Sequence, residues 1–169
     1  MKLRYLLTPS VLMFFALTPL AAQSPKCEPG PHVYQDNRDG TVTDKCTNLV
    51  WQQATNPTFL LFADAQAYCA TLTLDNKSDW RLPTIFELQT IVDYGRVDPP
   101  TDPVLQIPVR GPTIPYVYLW STTHWGFYPP NTPVNWTIEF SDGHTAVVQS
   151  GSSDQFGAVL FAKCVRSKH

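Results

Sequence analysis

Apolar positions along the chain change period twice. From residue 33 three short runs separated by turn formers, Val33-Tyr34-Gln35, Thr41-Val42-Thr43-Asp44 and Leu49-Val50-Trp51-Gln52, read as a small β-meander. The turn Asp36-Asn37-Arg38-Asp39-Gly40 ends in Asp-Gly, a hairpin signal between the first two. Over residues 58–74, Phe62, Ala65, Cys69 and Leu72 are spaced three, four and three apart, the stripe of a helix with Cys69 on its buried face. A second helix is predicted over 85–95. Pro83 cannot lie inside it, Thr84 and Glu87 have capping-box spacing, and Ile85, Leu88 and Val92, with Ile91 beside them, form its apolar face. Gly95 is expected to close this helix in the left-handed conformation. Trp80, Arg81 and Glu87 read as an anchoring indole, a salt link and a cap.

At Val97 the periodicity dissolves. Nine of the sixteen prolines fall between residues 97 and 133, which forbids a regular helix and predicts a long irregular loop region. One strand interrupts it, Val117-Tyr118-Leu119-Trp120-Ser121-Thr122, rich in β-formers. Trp136, Ile138 and Phe140 then alternate with Asn135, Thr137 and Glu139 and lead through Ser141-Asp142-Gly143 into His144–Val148, a second hairpin. A closing strand carrying Cys164 is predicted over 158–166. Two helices among several antiparallel strands place the chain in the α+β class. Trp51, Trp80, Trp120 and Trp136 lie in these framework segments and are expected in the core.

The two ends and the charge narrow the picture. Residues 1–22 carry Lys2 and Arg4, a proline-broken apolar run from Tyr5 to Leu20, and then Ala21-Ala22, the composition of a signal peptide cleaved after Ala22. Removing 22 of 169 residues leaves 147, residues 23–169, the size of one domain. A secreted or periplasmic protein without a membrane span is expected. Its 10 basic and 14 acidic side chains give a formal charge of −4, which argues against nucleic acid and against a generally basic surface for anionic polymers. In an exported chain the even set Cys27, Cys46, Cys69 and Cys164 predicts two disulfides, with three pairings open.

No catalytic constellation emerges. The cysteines form no CxxC pair, His32, His124, His144 and His169 have no ligand spacing, and neither a Ser/His/Asp set nor paired carboxylates can be picked out. A non-enzyme without a cofactor is therefore expected. Calcium is the alternative at the first hairpin, where Asn37, Asp39 and Gly40 fit positions of DxNxDG, although Gln35 and Cys46 stand at the first acidic and closing glutamate positions. The best candidate for ligand binding is aromatic: His124, Trp125, Phe127, Tyr128 and Asn131 in the proline-rich loop, with Asn135, Asp142 and His144 as polar partners from the hairpin. Sugars and protein partners both offer apolar surface to such rings. The competing reading has Trp125 and Phe127 pinning the loop to the core.

Seven motifs in one order carry a family resemblance: Asp36-Asn37-Arg38-Asp39-Gly40-Thr41-Val42-Thr43-Asp44, Leu49-Val50-Trp51-Gln52, Ala63-Asp64-Ala65-Gln66-Ala67-Tyr68-Cys69, Asp79-Trp80-Arg81-Leu82-Pro83-Thr84 with Glu87-Leu88, Trp120-Ser121-Thr122-Thr123, Phe140-Ser141-Asp142-Gly143 and Lys163-Cys164-Val165-Arg166. Over about residues 32–167 the chain resembles the DUF1566 domain, which is similar to the C-terminal domain of the Legionella collagen-like adhesin. The resemblance implies a C-type lectin-like fold, two helices flanking a twisted antiparallel sheet with a long irregular loop on one side. It also implies the disulfides Cys69–Cys164, from the first helix to the last strand, and Cys27–Cys46 near the N-terminus. The function it implies is a non-catalytic binding module for a glycan or protein ligand at the cell surface or in the periplasm. A structural subunit of an envelope or pilus assembly is the alternative, and an enzyme related to the formylglycine-generating enzymes is a further one. Unlike the adhesin the chain has no Gly-X-Y stalk repeat, and of the calcium-binding triplets of true C-type lectins only the fragments Pro130-Asn131 and Asn135-Trp136 are present.

Overall fold

The structure, a computed structural model, describes residues 32–128, 132–150 and 160–168; the segment read as a signal peptide, Cys27 and Asn131 lie outside them. In chain order the elements are β1 (Tyr34–Asp36), β2 (Thr41–Asp44), β3 (Leu49–Gln52), α1 (Phe62–Thr71), α2 (Ile85–Thr90), β4 (Tyr118–Tyr128), β5 (Thr132–Glu139), β6 (Thr145–Gln149) and β7 (Val165–Ser167). Two helices and two antiparallel sheets make this an α+β architecture, with strand orders β1-β2-β3-β7 and β4-β5-β6. Among the described residues no helix is long and apolar enough to cross a membrane.

The inner strands β2 and β3 of the first sheet are buried almost throughout. Val42 pairs with Trp51 and Trp51 with Val165, and all three are fully buried, so one apolar row crosses three strands on a single face. The expected hairpin forms through left-handed Arg38 and Gly40. Its polar side chains serve the turn itself: Asp36 accepts the Arg38 amide, Asp39 accepts the Thr41 amide and hydroxyl, and the Asn37 amide donates to Thr41 and Thr43.

α2 begins as expected. The Glu87 carboxylate accepts the Thr84 amide at 2.8 Å while the Thr84 hydroxyl accepts the Glu87 amide at 3.2 Å, a complete capping box, and the Arg81 guanidinium grips both Glu87 oxygens at 2.8 and 2.6 Å. Burial pushes the Glu87 carboxyl upward, but the bonds from Arg81 and Thr84 outweigh it and hold the group below its ordinary value. Thr84→Ala is accordingly expected to cost about 1 kcal/mol. Urea denaturation measures this, and a cost near zero would mean that Arg81 alone secures the helix start.

The end of α2 differs from expectation. The helix stops at Thr90 with Ile91 as its cap, and Gly95 is not left-handed. Neighbouring backbone captures the exit, because the Thr101 hydroxyl donates to the Ile91 carbonyl and the Asp93 amide donates to the Pro100 carbonyl. Val92 is therefore carried off the helix.

The long loop also ends earlier than its prolines suggest. β4 runs through eleven residues to Tyr128 and pairs with β5 from Thr132, so the aromatic stretch 124–128 is one arm of a hairpin. Ring-bearing residues are good strand formers. Pro133 is tolerated at the strand start because it needs only to accept there, and its carbonyl takes the Ser150 amide and hydroxyl.

The second sheet lies between two apolar clusters. Leu119, Ile138 and Phe140 join Ile85 and Leu88 of α2 on one side, while Trp120 and Val148 join Ala65 and Cys69 of α1 on the other. Of the four framework indoles, Trp51, Trp80 and Trp120 are buried, and Trp136 is half-buried against the first cluster. The predicted closing strand shrinks to β7, because residues 160–164 serve both sheets. Leu160 bonds to Leu60, Phe161 to Tyr118 and Trp120 of β4, Ala162 to Asn56, and Cys164 to Gln52 of β3. A disulfide from Cys164 to Cys69 ties this seam to α1, as the family resemblance implied.

Candidate ligand-binding surfaces

The hairpin carries the first candidate surface. His124 pairs with Asn135 and Gly126 with Val134, so two residues advance on β4 for one on β5 and Trp125 is the extra residue of a bulge. A bulge twists the strand and re-aims a side chain. Trp125 is 54% exposed, whereas Trp51, Trp80 and Trp120 are at most 3% exposed. His124, also exposed, sits edge-on to Phe62 of α1 at 6.5 Å. The side chains of Phe127 and Tyr128, like Asn131, lie outside the described residues.

Asn135 does not reach a surface. It is fully buried, donates to the Ser121 carbonyl at 3.0 Å, and its Oδ1 has no partner among the described residues. It sits in the middle strand, paired on both sides, with its side chain enclosed. The expectation that it supplies a polar ligand contact is corrected on that ground.

Asp142 and His144 are separated from the hairpin tip by the length of the sheet. They occupy the β5–β6 turn, beside Glu139, which pairs with Tyr118 at the start of β4. Seven residues of strand separate Tyr118 from Trp125, about 20 Å at the usual rise. The sequence-selected residues thus form two surfaces and not one.

At the turn, Asp142 Oδ1 accepts the His144 amide at 3.0 Å and meets His144 Nδ1 at 2.6 Å. These bonds, the backbone one first, hold the Asp142 carboxyl below its ordinary value. Glu139 is buried and braces the turn by accepting the amides of Val117 and Ser141 and the Ser141 hydroxyl. Gly143 has φ +85°, and a Cβ there would lie 2.7 Å from Val92 and 3.2 Å from Tyr94, so only glycine lets the turn rest against the end of α2. Tyr116 and Tyr118 stand alongside, their rings 6.3 Å apart, with His144 edge-on to Tyr118 at 6.2 Å. Sequence reading missed these tyrosines, since residues 94, 116, 118 and 144 share no local pattern.

Among the described residues, two sets of side chains have ligand atoms close enough to share a metal, His32 with Asp44 and Cys46, and Glu139 with Asp142 and His144. In the first, Asp44 already takes the amides of Cys46 and Thr47, the Thr47 hydroxyl and His32 Nδ1, the bonding of a turn brace. Cys46 has no disulfide partner among the described residues, and its expected partner Cys27 lies outside them. A groove of about 440 Å³ beside Tyr34 and Tyr94 and one of about 550 Å³ between Thr43 and Arg166 contain none of the aromatic-site candidates, and the second is lined by Asn37 and Asp39 of the calcium alternative.

A family model described as the Lcl C-terminal domain matches residues 40–166. No curated protein and no solved structure matches the chain.

Proposed function

The chain belongs to the Lcl C-terminal domain family, and from that premise we propose that it is an exported, non-catalytic binding module whose hairpin presents Trp125 to a glycan or protein ligand, in the manner of an adhesin. The observation that carries this reading is the bulge at Trp125. An indole is a large apolar surface, and covering it by a sugar ring or a partner's side chain would gain on the order of 1–3 kcal/mol. Its placement on a paired strand means that little ordering is lost on binding.

The finer fold reading is a C-type lectin-like arrangement, supported by the bridge from the first helix to the segment entering the last strand. Residence outside the cytoplasm is supported by that same disulfide and by the signal-like composition of residues 1–22. The reading assigns no catalytic step and no cofactor. In its support, Cys69 and Cys164 are consumed by their bridge and are fully buried, away from any substrate.

Printed neutral and sulfated glycans, probed with the wild type and with Trp125→Ala, test the proposal. The variant is expected to lose at least about tenfold in retained signal while its unfolding free energy stays within about 0.5 kcal/mol of wild type. A chelator arm reads out calcium. Binding untouched by the substitution would remove the hairpin from the account. Self-association in light scattering that is abolished by Trp125→Ala, without any glycan signal, would favour an envelope or pilus assembly subunit.

A further inference from the structure

At the other end of β4, three tyrosines meet Asp142 and His144, and we infer that this turn surface is a second ligand site that takes an unsulfated, hydroxyl-rich sugar ring. The inference rests on the binding-module reading but on different residues from those of the hairpin.

The rings come first. Tyr94 and Tyr116 are 74% and 62% exposed, far more than a large aromatic side chain needs for packing. Tyr116 leans on Tyr118, Tyr118 on His144, and Tyr94 lies against Gly143, so a row of three rings runs to the turn and a fourth flanks it. Their hydroxyls differ from those of the inner tyrosines. Tyr34 donates to the Thr90 carbonyl and Tyr68 accepts from Gln52, whereas Tyr94, Tyr116 and Tyr118 have no hydrogen-bond partner among the described residues. Ring faces with free hydroxyls match a sugar, which offers an apolar C–H face and an edge of hydroxyls.

Hydrogen-bonding capacity is present at the same place. Asp142 spends Oδ1 on His144 and leaves Oδ2 to accept from a sugar hydroxyl. With Nδ1 turned to Asp142, His144 keeps Nε2 for a second hydrogen bond at the same place. The turn is also held in advance of binding: the Asp98 amide donates to the Ser141 carbonyl at 3.1 Å, and Gly143 is seated against Val92.

The sign of the charge selects the sugar. Asp142 and Glu139 both bear on Tyr118, whose phenol is raised by burial first and by these two carboxylates next. Arg110, the neighbouring cation, is bound through two nitrogens to Asp98 at 3.0 Å each. A sulfated or carboxylated sugar would meet the carboxylates of Asp98, Glu139 and Asp142 against the cation Arg110, while a neutral ring would meet no such repulsion.

Titration of the purified protein with a panel of neutral mono- to tetrasaccharides and with a heparin-derived tetrasaccharide, followed by saturation-transfer NMR, tests the inference on wild type, Tyr116→Ala, Asp142→Asn and Trp125→Ala, each checked for unchanged thermal unfolding. At least one neutral sugar is expected to bind wild type and to weaken by about tenfold or more in Tyr116→Ala and Asp142→Asn. Neutral sugar binding that disappears only with Trp125→Ala would overturn the second site and leave the hairpin reading standing. Preference for the heparin-derived sugar, or no saccharide binding at all, would overturn it as well, and the hairpin reading would then rest on a protein ligand.

Discussion

Replacing both Cys69 and Cys164 by serine is expected to lower the unfolding free energy by about 4–5 kcal/mol, close to the whole stability of an ordinary domain. The bridge spans a sequence separation of 95, so cutting it restores to the unfolded chain the freedom of one very long loop. Its position adds a second loss. Both half-cystines are fully buried in the cluster that holds Trp80, Leu82 and Trp120, and two serine hydroxyls there would be desolvated. Residues 160–164 are bonded in turn to the loop before α1, to β4 and to β3. Loosening Cys164 therefore loosens the seam between the sheets. Urea denaturation of the oxidised wild type and the double-serine variant measures the difference. A loss under about 1 kcal/mol would show that the hydrogen bonds of residues 160–164 hold the seam without the bridge.

Legibility in the sequence followed the range of the interactions. Thr84, Glu87 and Asp39-Gly40 are local devices, each complete within a few residues, and the structure contains them as read. The stop of α2 is set by Thr101 and Pro100, and no rule applied to residues 85–95 could supply them. The proline-rich region misled for a related reason. Proline argues against a helix and a central ladder donor, but the residues between Tyr118 and Tyr128 are proline-free and rich in strand formers, so β4 extends until the first proline pair. Of the candidate site, Trp125 was legible as an aromatic among turn formers, whereas its exposure depends on a one-residue mismatch with β5. Asn135 and His144 looked alike as polar residues near a hairpin. Only strand order shows that one is enclosed in the middle strand and the other stands on the turn.

The stability of the protein is expected to rise between pH 7 and pH 10, and Lys163→Met to abolish most of that rise. Lys163 is fully buried, and its ammonium group donates to the carbonyls of Gln53, at 2.8 Å, and Leu105; no ion pair to it forms among the described residues. Burial without a carboxylate partner pushes its pKa down to about 7 from an ordinary value of 10.5. Between those two values the unfolded chain holds a proton that the folded protein has released, so stability climbs with pH, by at most about 1.4 kcal/mol per unit. Below pH 7 both states are protonated and the fold carries the full cost of a buried cation. The neutral amine still donates two hydrogen bonds, so the link between the two loops survives deprotonation. Methionine keeps the length but leaves both carbonyls unpartnered, each a loss of about 1–3 kcal/mol. Wild type should therefore exceed the variant by a margin that widens from pH 7 to pH 10. The window closes near pH 10 because half-buried Tyr34, whose phenol is raised chiefly by desolvation, remains protonated in the fold while unfolded phenols ionise, and stability falls from there. Urea midpoints at unit pH steps decide the matter. Parallel profiles for the two proteins would mean that Lys163 stays charged in the interior, held by carbonyl dipoles alone.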